Sequence, residues 1–172
     1  MLRASGGSEV ASGGLLMSSI VLVICGAGES LSDLWDRARD LPNVLLPGRV
    51  GQPEIWELMQ RSTAGLAPYR ALRNFDDNLP NKPIEYMSAG LPIIASDVRV
   101  LSRLIDEHSC GLTYAHGSAE ALAQAITTMA RDPSLRASLA GSSAKLFAER
   151  FVAERVYDKM AAHLETVGSR RA

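Results

Sequence analysis

The sequence predicts an α/β fold: a parallel sheet of about five strands with helices on both faces. Three observations carry this reading. Short apolar, β-branched runs alternate with longer amphipathic stretches along the chain. The gaps between the runs are long enough for the helical crossovers that parallel strands require. Glycine and proline punctuate the junctions, as at Gly26-Ala27-Gly28 and Gly90-Leu91-Pro92.

Met1 to Gly14 is rich in Gly, Ser and Ala, which predicts a flexible or irregular arm over residues 1–19. Ile20 to Cys25 reads as a buried parallel strand. Ser30 or Ser32 caps a helix to about Asp40, with Leu31, Leu34, Trp35 and Ala38 on one face. Asn43 to Pro47 is a second strand. Gln52-Pro53-Glu54 opens a helix to about Arg61, with Ile55, Trp56 and Met59 inward. Ala64 to Pro68 is a third strand, and Tyr69 to Leu79 a polar loop. A helix follows to Ala89, then a strand from Pro92 to Ser96, a helix from Val98 to Glu107, and a strand from Gly111 to Tyr114. Three helices close the chain, at Ser118 to Arg131, Pro133 to about Glu149, and Ala153 to Val167. Residues 20–167 form the folded domain and 168–172 a tail.

Composition narrows the function classes. The chain has 172 residues, 47% of them hydrophobic and 22% charged, which suits one domain able to bury roughly 70% of its unfolded surface. A net charge of −1 provides no field to recruit nucleic acid. No apolar run reaches the length of a spanning helix. Cys25 and Cys110 are too few for a disulfide framework, so a cytoplasmic location is expected. Arginine outnumbers lysine and the helices are alanine-rich, which points to a bacterial source. The three histidines, His108, His116 and His163, share no metal-ligand spacing with one another or with the cysteines. Ser142-Ser143 lies in no nucleophile motif.

Ligands of parallel sheets sit beyond the carboxyl ends of the strands. Four loops would line that cleft: Gly26 to Glu29, Gly48 to Gln52, Tyr69 to Lys82, and Asp97 to Arg99. Gly26 and Gly28 form either a tight turn or a phosphate contact. Arg49 is either solvated or placed to contact a planar or anionic ligand. Asp77 is either loop chemistry or a working acid. Asp97, just after a strand, either faces that cleft or is the N-cap of the next helix. The stretch Asn78 to Pro92 is the most informative. Asn81 suits an N-cap and Pro83 the first turn, while Gly90 and Pro92 end the helix. Free N–H groups beside Lys82 make an anion site. Glu85, one turn inside, is placed to accept hydrogen bonds from sugar hydroxyls.

These residues, Pro80-Asn81-Lys82 through Glu85-Tyr86 to Gly90 and Pro92, resemble the donor-site signature of group 1 (family 4) retaining glycosyltransferases of GT-B fold, in the variant P-N-K-x-x-E-Y-x-x-x-G-x-P. The resemblance runs from about Ile20 to Val167. It covers the C-terminal, nucleotide-sugar-binding, Rossmann-like half of such an enzyme, without the acceptor-binding half. It implies that Asp77, eight residues before Glu85, takes the place of the first acid of the family's E-x7-E pattern, near the reacting carbon. Glu85 would bind the ribose, with Lys82 and Asn81 at the diphosphate. Gly26 and Gly28 match the family's G-x-G at the cleft, and Gly48-Arg49-Val50 its base-pairing segment. The implied reaction is retaining transfer from a nucleotide-diphosphate sugar, with no metal and no cofactor, in polysaccharide or glycoconjugate assembly. The family's upstream Arg and Lys clamp is missing, since Arg3 is the only upstream cation. The chain therefore reads as a donor-binding half that needs an acceptor-binding partner, with peripheral membrane association open through that partner. The alternative is a catalytically inactive remnant or regulatory module.

Overall fold

A computed structural model describes residues 2–4, 20–71 and 77–169. In chain order the elements are β1 (Leu2–Ala4), β2 (Ile20–Cys25), α1 (Leu31–Ala38), β3 (Val44–Gly48), α2 (Gln52–Gln60), β4 (Gly65–Ala67), α3 (Asn81–Ser88), β5 (Ile93–Ser96), α4 (Arg99–His108), β6 (Gly111–Tyr114), α5 (Ala119–Arg131), α6 (Pro133–Arg150) and α7 (Ala153–Ser169). The alternation read from the sequence holds, with boundaries shifted by a residue or two.

The strands pair as two three-stranded sheets, β1-β2-β3 and β4-β5-β6. From β2 onward every pairing is parallel, for example Leu22 with Val44 and Ile94 with Leu112. β1 is an addition to the sequence reading. Leu2–Ala4 runs antiparallel to β2, with Leu2 opposite Leu22, rather than forming part of an irregular arm. The edge of β2 offers backbone partners to any extended segment nearby, whatever its composition. The remainder of the arm lies outside the described residues, as do Arg73 and Asp76 of the polar loop and the Arg170-Arg171 tail.

β5 shows why the helices take both faces. Its four residues are all buried. Successive side chains of a strand point to opposite sides. Ile93 and Ala95 join one cluster with Met59, Met87, Leu101, Ile105 and Leu146, from α2, α3, α4 and α6. Ile94 joins the other, with Met129 and Leu139 from α5 and α6. Ile20 and Leu22 of β2 share that second cluster with Leu66 and Leu112, so one core spans both sheets.

Two tryptophans depart from expectation. Trp35 is 56% exposed and Trp56 47%. In α1 the half-buried stripe is Leu31, Leu34 and Ala38, and Trp35 falls outside it. In α2 it is Ile55, Leu58 and Met59 that turn inward, which rotates Trp56 toward solvent.

The join between β4, α3 and β5 fixes the site. Gly65 faces the Tyr86 ring so closely that a Cβ there would collide with it. The Tyr86 hydroxyl donates to the Leu66 carbonyl at 3.1 Å, bracing α3 on β4. α3 ends in a Schellman motif. Gly90, at φ 70, donates to Met87 O at 3.0 Å, and Leu91 N donates to Tyr86 O at 2.9 Å. From α6, the wholly buried Ser143 donates to the Leu91 carbonyl at 2.6 Å.

Candidate functional site

Because β2 to β6 run parallel within each sheet, the loops after Cys25, Gly48, Ala67 and Ser96 emerge at carboxyl ends, where ligands of such folds collect. Two of these loops meet directly: Gly26 N–H donates to the Gly48 carbonyl at 2.8 Å. Gly48 sits at φ 74, a conformation that favours glycine. Gly28 is exposed, and a Cβ built there meets nothing within 4 Å, so no protein contact demands the glycine. Arg49 is exposed beside it and Val50 half-buried.

The N-terminus of α3 differs from the sequence reading in one respect. Pro80, extended at φ −68 and ψ 156, is the capping residue, and Asn81 is already helical. Asn81 therefore cannot cap its own helix. Pro80 itself gives the first turn no side-chain cap, and a helix start of this kind suits an anion. Pro83, which has no N–H, is buried, while Asn81 and Lys82 are exposed. Lys82 forms no ion pair among the described residues, leaving a fixed cation beside an open helix start.

Glu85 lies one turn into α3, exposed. Its carboxylate is close enough to act on two phenols. Burial, with Glu85 and Tyr69 adding, pushes Tyr86 up to about 12. Burial and the Glu85 charge raise Tyr69 as well. Tyr69 was not singled out from the sequence. It is pinned at the end of β4, its carbonyl accepting from Ser96 Oγ at 2.6 Å and its N–H donating to Ala67 O at 3.0 Å. An aromatic just past a parallel strand, ahead of the signature helix, was the available signal.

Asp77 and Glu85 have different surroundings. Asp77 forms an ion pair with Arg99 at the start of α4, both side chains exposed. Asp77, Arg99, Val100, Arg103, Leu104 and Glu107 line a cleft of about 390 Å³ on the outer side of α4. Its carboxylate is thus engaged by a guanidinium that the sequence reading did not single out. Asp97 does not cap α4; Val98 occupies that position. The Asp97 carboxylate instead accepts from His116 N–H at 2.8 Å, and lies 3.3 Å from His116 Nδ1, joining the loops after β5 and β6. Cys25 is half-buried and Cys110 buried, both free. No helix among the described residues is long and apolar enough to cross a membrane.

Residues 12–132 match the family described as "Glycosyl transferases group 1". No curated protein matches the chain. Solved structures are similar in fold. One is WaaG, a glycosyltransferase involved in lipopolysaccharide biosynthesis, at 20% identity and TM-score 0.66, covering 80% of this chain and 36% of that one. Another is the sucrose-phosphate synthase of Thermosynechococcus elongatus, at 19% identity and TM-score 0.72, covering 87% and 39%. A third is HepE of Anabaena, solved with UDP and glucose, at 19% identity and TM-score 0.65, covering 85% and 40%. The chain therefore spans less than half the length of these proteins. An open helix start at the carboxyl ends of parallel strands, in a Rossmann-like unit of GT-B type whose sequence matches across residues 12–132, places the chain among the group 1 glycosyl transferases.

Proposed function

We propose that this chain is the donor-binding half of a retaining glycosyltransferase that takes its sugar from a nucleotide diphosphate. The observation that carries the proposal is the pairing of an uncapped α3 N-terminus with the exposed Glu85 carboxylate one turn inside it. Helix N–H groups and the Lys82 ammonium suit a diphosphate, whose charge grows as the sugar departs. Glu85 suits the ribose hydroxyls. Gly26, Gly28 and Gly48, where a Cβ would meet nothing within 4 Å, leave room for the base beside the Arg49-Val50 backbone. Asp77 lies on the loop that leads into α3 and is the acid nearest the reacting carbon in this reading. No metal is needed, and the nucleotide sugar is the substrate rather than a cofactor. The acceptor-binding half comes from a further polypeptide segment, in polysaccharide or glycoconjugate assembly on the cytoplasmic side of a bacterial membrane.

The test is titration of the chain with nucleoside diphosphates, repeated with Glu85→Ala. Saturable binding lost in the variant supports the proposal. Equal affinity in both forms, or none in the parent, removes it. The Asp77–Arg99 ion pair favours a second reading, in which the chain binds the nucleotide sugar without turning it over. Reconstitution with an acceptor-binding half separates the two: transfer that disappears in Asp77→Asn supports the enzyme.

A further inference from the structure

Arg99 opens α4, and the residues just before it are pinned from several sides. Ser96 Oγ donates to the Tyr69 carbonyl at 2.6 Å. Asp97 N–H donates to the Tyr114 carbonyl at 2.9 Å. Val98 is wholly buried. One turn further along α4, Arg103 donates to Glu107 at 2.6 Å, so its charge is matched within its own helix. The Arg99 guanidinium instead crosses to Asp77, on the loop that leads into α3. It meets that carboxylate at Oδ1, and the Asp77 side chain stays 56% exposed.

We infer that Arg99 is a positioning residue for the sugar end of the donor: it holds Asp77 by one carboxylate oxygen and leaves the other for a sugar hydroxyl. The inference rests on the donor-binding reading and divides its labour. Glu85, Lys82 and the start of α3 serve the nucleotide, while Asp77 and Arg99 serve the sugar. An ionised carboxylate has two acceptor oxygens, so one guanidinium contact does not exhaust it. A loop acid that must be ordered when ligand arrives loses affinity to that ordering, and a grip already formed from a fixed helix start removes part of the loss. Arginine suits the task, because its planar fork sets the direction of the carboxylate as well as its distance. The cleft of about 390 Å³ that Asp77 and Arg99 share, walled in part by Val100 and Leu104, is of the size of small-molecule sites. The opposite role, a guanidinium that withholds Asp77 from the ligand, predicts the opposite sign when Arg99 is removed.

The experiment is calorimetric titration of the full chain with uridine, adenosine and guanosine diphosphates and with the sugar esters of each. Arg99→Ala is expected to weaken the best-bound ester roughly fivefold, the scale of an exposed ion pair, and to leave the bare diphosphate within about twofold. A merely structural role would weaken both together. Asp77→Ala should match that pattern, and the double variant should bind the ester no worse than either single one, because both remove the same contact. Arg99→Lys, which keeps the charge without the fork, should recover part of the loss.

A parent chain that binds no diphosphate removes the donor-binding reading and this inference with it. Where the diphosphate binds, the inference alone is overturned by any of four results: no ester bound, an ester that Arg99→Ala or Asp77→Ala leaves unchanged or tightens, equal weakening of ester and diphosphate, or losses that add in the double variant.

Discussion

Tyr86 rests on Gly65 and donates to the neighbouring Leu66 carbonyl, so one residue of α3 fixes both the height and the rotation of the helix on β4. The atoms a new Cβ at position 65 would meet include the base of the ring, which has little room to give. Gly65→Ala is expected to destabilise by about 1–3 kcal/mol, as overpacking of a filled core does. Chemical denaturation measures it. A change under 0.5 kcal/mol would mean that the ring moves freely.

The same tyrosine makes stability depend on alkaline pH. Its folded-state value, about 12, lies above the 10.0 of a free phenol. Above pH 10 the unfolded chain gives up this proton while the folded one keeps it, so stability falls as pH rises from 10 toward 12. The loss attributable to Tyr86 is about 2–3 kcal/mol over that window. Tyr86→Phe should lose about 1 kcal/mol at neutral pH, from the Leu66 hydrogen bond, and show a shallower alkaline decline. Parallel slopes for parent and variant between pH 10 and 12 would contradict this.

Glu85 and Lys82 are exposed, so their replacement should leave the fold alone. Glu85→Ala and Lys82→Ala are expected to change stability by less than about 0.5 kcal/mol. In calorimetric titration with a nucleoside diphosphate, Glu85→Ala should abolish measurable binding. Lys82→Ala should weaken it several-fold and flatten its salt dependence. Unfolding of either variant would show that the side chain serves the fold.

The two cysteines should separate by reactivity. Burial pushes the Cys110 thiol up to about 11 and encloses it, whereas Cys25 is half-buried at the end of β2. Thiolate, not thiol, reacts. Native protein should therefore react with a thiol reagent at Cys25 first, and at Cys110 only after denaturant is added. Mass mapping of the modified peptides reads the order.

Local rules made the strand–helix alternation legible, along with the stop at Gly90. The Schellman turn at Gly90 and Leu91 depends only on residues within two turns of it. What escaped the sequence depends on distant partners. Asn81 and Pro80 are both reasonable starts for α3, and the extended geometry of Pro80 decides between them. Asp97 looks like a cap until β6 brings the His116 N–H to it. Arg99 has no local reason to reach Asp77, 22 residues earlier. Trp35 and Trp56 satisfy an apolar periodicity that the half-buried stripes of α1 and α2 leave unused.

Ser143 gives the C-terminal part of the chain a stake in the cleft. It grips the main chain where α3 hands over to β5, from a helix that touches no candidate ligand. Force applied by a bound anion at the front of α3 would be resisted from behind, by α6. Ser143→Ala, which removes only that grip, should therefore slacken a site that lies more than fifty positions upstream, although every residue facing the ligand would still be present.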